Sequence, residues 1–200
     1  MTVQRMAVTA GLAVAVAAAG WGVAAGAGTA VAGVSARAVD ARLAASPTAS
    51  PVSAQDRTFM DQASQINLTE ISLGKYMHAH STNTALKNLG ARYVRDHTAA
   101  QASLRPLASS LGVTVPSAPN TQLRSMVAKV ESLKGKDMDV AFVNVSVSGH
   151  EAAIEIFKKE ESAGSDAAVK AYAAKYLPML ETHLRLAKHA ESMLGIKPAS

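Results

Sequence analysis

From residue 56 onward, apolar residues recur at alternating intervals of three and four. Phe59, Ala63, Ile66, Leu73 and Met77 fall on one stripe, which predicts an amphipathic helix ending at the Ser81-Thr82-Asn83 break, where a new N-cap is offered. A second stripe, Leu86, Leu89, Tyr93, Ala100, Leu104, Leu107 and Leu111, predicts a helix over 84–111, with Pro106 expected to kink its last turns. The two-proline stretch at 112–120 reads as a crossing loop, and 122–133 as a short helix closed by Lys134-Gly135-Lys136. A third long helix is predicted from Asp137, with Val140, Val143, Val147, Ile154 and Phe157 on one face. The β-branched run at 140–147 would suit a strand, but the helical period continues through Phe157 and decides for helix. After a turn ending in the capping Asp166, the stripe Val169, Ala173, Tyr176, Leu180, Ala187 and Leu194 marks a fourth long helix, bent at Pro178 and closed by Gly195.

Four long helices without a convincing strand predict an all-α fold: a four-helix bundle over 56–195, with a short extra helix in the middle crossover and a tail at 196–200. Short connections make the first two and the last two long helices antiparallel neighbours. The connection at 112–136 is long enough to cross the bundle.

Each long stripe carries one residue that does not belong in an apolar core: Glu70, His97, His150 and His183. Burying a carboxylate and three imidazoles costs several kcal/mol unless they find partners. A metal ion is one such partner, and a closed hydrogen-bond network is another. At ~1.5 Å per residue, Glu70 and His97 lie within ~5 Å of the same height, and the tilt of helical side chains closes most of that gap. His150 and His183 match less well, unless the Pro178 bend absorbs the difference. If the four converge, one acid and three neutral imidazoles suit one transition-metal ion such as zinc, copper or iron. Asp96 points to another face and reads as a surface group or a support behind the ligands. Tyr93 and Tyr176 are placed to line the pocket. His78 and His80, two apart, cannot share a helical face and read as solvated; His189 lies near a helix C-terminus, where a cation is favoured. The methionines are too dispersed for a copper-handling methionine motif and read as packing.

Composition changes the picture at the N-terminus. No Asp, Glu, Lys or Arg occurs from Met6 to Ala36, Arg5 precedes an apolar run, and Ala30-Val31-Ala32 fits a small-residue cleavage pattern. Residues 1–32 are therefore expected to be a secretory signal peptide, with an uncleaved membrane anchor as the alternative. Residues 33–55, rich in Ala, Ser and Pro, read as a disordered linker. Both readings place the domain in the cell envelope or outside the cell, with membrane or cell-surface association if the segment stays. The chain has no Cys, which excludes disulfides, thiolate metal sites and Cys nucleophiles. A net charge of +5 without a Lys/Arg run, and only 4% aromatic residues, give nucleic-acid binding little support.

Gln62-Ala63-Ser64, Glu70-Ile71-Ser72-Leu73-Gly74, Tyr93-Val94-Arg95-Asp96-His97 and Tyr176-Leu177-Pro178-Met179-Leu180-Glu181-Thr182-His183 resemble the bacterial ferritin-like domain of unknown function 4142 family, often described as a predicted outer membrane protein. The resemblance implies a secreted or envelope four-helix bundle related to ferritins and supplies no established activity. Di-iron ferritins carry Glu-x-x-His on two helices, whereas Val94 and Leu180 stand three before His97 and His183. That departure argues against ferroxidase chemistry. The expected function is a non-enzymatic exported bundle with a Glu/His metal site; the alternative is a metal-free structural or stress-related envelope protein.

Overall fold

The computed structural model describes residues 51–197. The expected signal peptide, most of the linker and the last three residues lie outside the described residues.

Five helices follow in order: α1 (Ala54–His80), α2 (Thr84–Ser110), α3 (Thr121–Glu131), α4 (Gly135–Ala163) and α5 (Ala167–Met193). The polar residues at their starts act as caps. Ser53 accepts from the Asp56 amide, Asn83 from those of Ala85 and Leu86, Asn120 from that of Leu123, and Asp166 from those of Ala168 and Val169. α2 and α5 close alike. Gly112 and Gly195 take positive φ, and the Val113 and Ile196 amides reach back to the carbonyls of Ala108 and Glu191. Pro106 and Pro178 lie inside continuous helices. The β-branched run at 140–147 is helical, within α4.

α1 and α2 form one antiparallel hairpin, and α4 and α5 another. The first is drawn tight at Gly74 and Gly90: a Cβ on Gly74 would lie 2.6 Å from the Gly90 carbonyl oxygen, so only glycine lets the backbones meet there. The long crossover carries α3 and reverses the second hairpin relative to the first. The order up, down, down, up around one core is that of ferritin-like bundles with a single long connection. α3 is tied back by Tyr76, whose hydroxyl donates to the Glu131 carbonyl at 2.6 Å, and Val127 and Val130 are buried beneath it.

The core is in two pieces. Phe59, Leu104, Phe157, Tyr172 and Leu180 belong to one apolar cluster. Leu73, Met77, Leu86, Phe142 and Val143 belong to the other, at the end where α3 lies. Every long helix passes through both. In each helix the residues between the two clusters are where Glu70, His97, His150 and His183 fall, so a polar layer crosses the bundle between two apolar blocks.

Candidate metal centre

All four sequence-predicted residues are buried: Glu70 is 5% exposed, His150 1%, and His97 and His183 0%. The structure draws the three histidines together. One ring nitrogen from each lies within 4.8 Å of the other two. His150 Nε2 and His183 Nδ1, the pair expected to match less well in height, are only 3.3 Å apart. Glu70 stands outside this group. Its Oε1 lies 3.9 Å from His150 Nδ1, the nitrogen already turned to the Ser146 carbonyl. At the level of His97 stands Asn67, one turn earlier on α1, with Oδ1 3.0 Å from His97 Nδ1.

The outer hydrogen bonds determine which nitrogens carry protons. The chain of assignment starts at the Pro116 carbonyl in the crossover, which can only accept. Ser64 Oγ donates to it at 2.8 Å, so Ser64 accepts from Gln101 Nε2, also at 2.8 Å. The Gln101 oxygen then faces Asn67 and accepts its Nδ2–H at 3.1 Å; the same amide nitrogen reaches the Tyr172 hydroxyl. The Asn67 oxygen is left for His97, whose Nδ1 must be the donor. A neutral imidazole has one N–H, so His97 Nε2 is a bare lone pair. It is buried and has no hydrogen-bond partner.

The same logic applies to the other two rings. His150 Nδ1 lies 2.8 Å from the Ser146 carbonyl and must donate to it, which leaves Nε2 bare. His183 Nε2 lies 2.9 Å from Asp96 Oδ2 and donates to that carboxylate, which leaves Nδ1 bare. Burial opposes ionisation of Asp96, but the hydrogen bonds from Arg95 and His183 hold its carboxyl below the ordinary range. Three lone pairs from α2, α4 and α5 therefore point at one another with no proton between them.

Protonation does not relieve this at neutral pH. Burial, then the neighbouring His150 and His183, hold His97 well below the ordinary imidazole range. Burial, then His183, bring His150 down to about 3. Burial lowers His183 as well, against the pull of Asp96. Tyr93 packs its ring over two of them, with centroids 4.9 Å from His150 and 4.7 Å from His183. Glu70 Oε2 and the hydroxyls of Tyr93 and Ser146 are further buried atoms of this layer without a hydrogen-bond partner. Burial raises the Glu70 carboxyl to about 8.

The donor set suits a metal ion. Each bare nitrogen has its opposite N–H held by an amide oxygen, a backbone carbonyl or a carboxylate, the arrangement that orients imidazole ligands. For bonds of ~2.0 Å, trigonal or tetrahedral geometry sets two nitrogens about 3.3–3.5 Å apart, which the closest pair already meets. A di-iron centre does not fit, because no carboxylate joins the three nitrogens.

Spacing alone missed Asn67, Gln101 and Ser146, though a signal was present: Gln101 is four after His97, Ser146 is four before His150, and Asn67 is three before Glu70. Asp96, expected as a surface or supporting group, reaches the neighbouring helix, with Oδ2 2.9 Å from His183 Nε2. Tyr176 sits elsewhere, its hydroxyl 2.7 Å from Ser103 Oγ. His78, His80 and His189 are exposed.

Fold and site together define an all-α bundle with a buried three-histidine layer. The model of the domain of unknown function DUF4142 matches residues 41–190, and the chain belongs to that family. It is also similar to the crystal structure of a DUF305 fragment from Deinococcus radiodurans, with a TM-score of 0.62 and 16% identity over 72% of this chain and 98% of that one. At that identity the likeness speaks for the fold alone. No curated protein matches the chain.

Proposed function

We propose that the protein is an exported bundle that binds one transition-metal ion through His97 Nε2, His150 Nε2 and His183 Nδ1. The observation that carries this reading is the facing set of bare nitrogens. A metal-free hydrogen-bond network needs an inward N–H, and each ring has committed its N–H outward. Glu70 is not a ligand in this reading and forms part of the surroundings of His150. Export is supported by the charge-free run at 6–36 and the Ala-Val-Ala pattern behind it. Among the described residues, no helix is long and apolar enough to cross a membrane.

Elemental analysis of the untagged full-length protein tests the binding. One equivalent of metal is expected, lost in His97→Ala. Added metal at about 100 times Kd should raise the unfolding free energy by about 2.7 kcal/mol. A metal-free protein whose melting ignores zinc, copper and iron would sink the proposal.

A further inference from the structure

We infer that the ion this site is built for is monovalent copper, held by three nitrogens in trigonal coordination. The inference rests on the three-histidine reading and adds the identity of the ion. Its basis is the number and charge of donors.

The chain offers no thiolate, since it has no Cys. Among the described residues, no carboxylate belongs to the converging group. The two nearby carboxyl groups stand behind the rings, Asp96 at His183 Nε2 and Glu70 on the Nδ1 side of His150. Tyr93 meets the site with the face of its ring, packed over His150 and His183. Three neutral imidazoles are therefore the strong side-chain donors at this point.

Zinc with three protein ligands completes its shell with a water or substrate. Here the three rings are 0–1% exposed, and Tyr93 covers His150 and His183. A fourth, aqueous ligand would have to be buried with the ion, between two apolar blocks. Charge points the same way. The solvation cost of a buried ion grows with the square of its charge, so a divalent ion among neutral donors costs about four times as much as a monovalent one. Cuprous copper, a closed-shell ion content with three donors and well suited to imidazole, avoids both costs.

The test is anaerobic titration of the untagged full-length protein with Cu(I) against a chromophoric Cu(I) chelator. A parallel Zn(II) titration against a Zn(II) chelator and X-ray absorption of the loaded protein complete it. One Cu(I) per chain with three nitrogen neighbours is expected, bound at least about tenfold more tightly than Zn(II). His97→Ala should weaken Cu(I) binding more than tenfold. Asp96→Ala, at the rim of the layer with 18% of its side chain exposed, should weaken it about tenfold with helicity unchanged. Tighter binding of four-coordinate Zn(II) overturns the cuprous assignment and leaves the three-histidine reading standing. Binding of neither ion overturns the cuprous assignment, and a protein that also ignores iron overturns the three-histidine reading with it.

Discussion

The bundle buries titratable groups of one kind against one another in two places and resolves them in different ways. Where α1 begins and α4 gives way to α5, Asp56 and Glu160 are both fully buried. Asp56 accepts the amides of Ser165 and Asp166 and the Ser53 hydroxyl, and these donors hold it below the ordinary carboxylate range despite burial. Burial, with Asp56 beside it, raises Glu160 to about 7. Below about pH 7 Glu160 carries a proton beside the ionised Asp56. In the histidine layer no such proton is present. Each ring has spent its N–H on an outer acceptor, and burial keeps a second proton away. A pair of acids can therefore close on itself with a proton, whereas three imidazoles facing inward by their lone pairs close on a cation. That contrast separates a structural polar cluster from one able to hold a ligand.

The largest effect is expected at Asn67, where a closed network and the open layer meet. Asn67→Ala strands the His97 N–H and the Gln101 oxygen. Leaving two buried groups unpaired should cost about 2–4 kcal/mol in urea unfolding of the metal-free protein. It should also weaken metal binding about 10- to 100-fold, because His97 loses the acceptor that orients it. Gln101→Ala should reproduce much of the stability loss with little change in affinity. Undiminished affinity in Asn67→Ala would mean that the network does not act on the site through Asn67.

The fold was largely legible in the sequence because its signal is periodic and redundant. Six to eight stripe positions per long helix outweigh Pro106, Pro178 and the Val140–Val147 run. Boundaries moved slightly: α4 begins at Gly135 rather than Asp137, since the glycine tolerates the positive φ that turns the chain into the helix. The three histidines were legible for the same reason, each replacing an apolar residue on its stripe. Glu70 was read onto His97 because two helices can be phased from sequence only to within about a turn. Asn67 is that one turn away. Ile66, on the apolar stripe, is only half-buried, and Asn67 beside it is the buried residue. For Ser146 the spacing of four before His150 is the whole signal, since its contribution is a backbone carbonyl, which any residue supplies.

A smaller effect, of opposite kind, is expected at the acid pair. Glu160 has a folded pKa of about 7 against an ordinary value of 4.5, so the folded state holds a proton that the unfolded chain releases. The stability this proton contributes is complete below about pH 4.5 and is lost as pH rises through about 7. Glu160→Gln keeps a donor in place without the ionisation. It should remove about 1–3 kcal/mol of the wild-type decline between pH 5 and 8, read from denaturant midpoints. The histidine layer in metal-free protein has the reverse sign. Its neutral rings favour the folded state above about pH 6.5, and that stability is lost as pH falls toward the value of about 3 held by His150. An unchanged slope in Glu160→Gln would place that proton elsewhere.

The smallest effect belongs to the histidines that lie outside the layer. His78 and His80 are exposed at the end of α1, where His80 stacks on Tyr76 and His78 Nδ1 approaches the Lys87 carbonyl at 3.3 Å. Both rings stay hydrated, so removing them strands nothing in the core. His78→Ala and His80→Ala should each change unfolding free energy by less than about 0.5 kcal/mol. Metal stoichiometry should stay at the wild-type value in both. Two exposed imidazoles on one helix end are the usual source of adventitious metal in titrations, and these variants remove it. If bound metal falls with them and survives His150→Ala, the ion is held by solvated rings and the buried lone pairs stand without a cation.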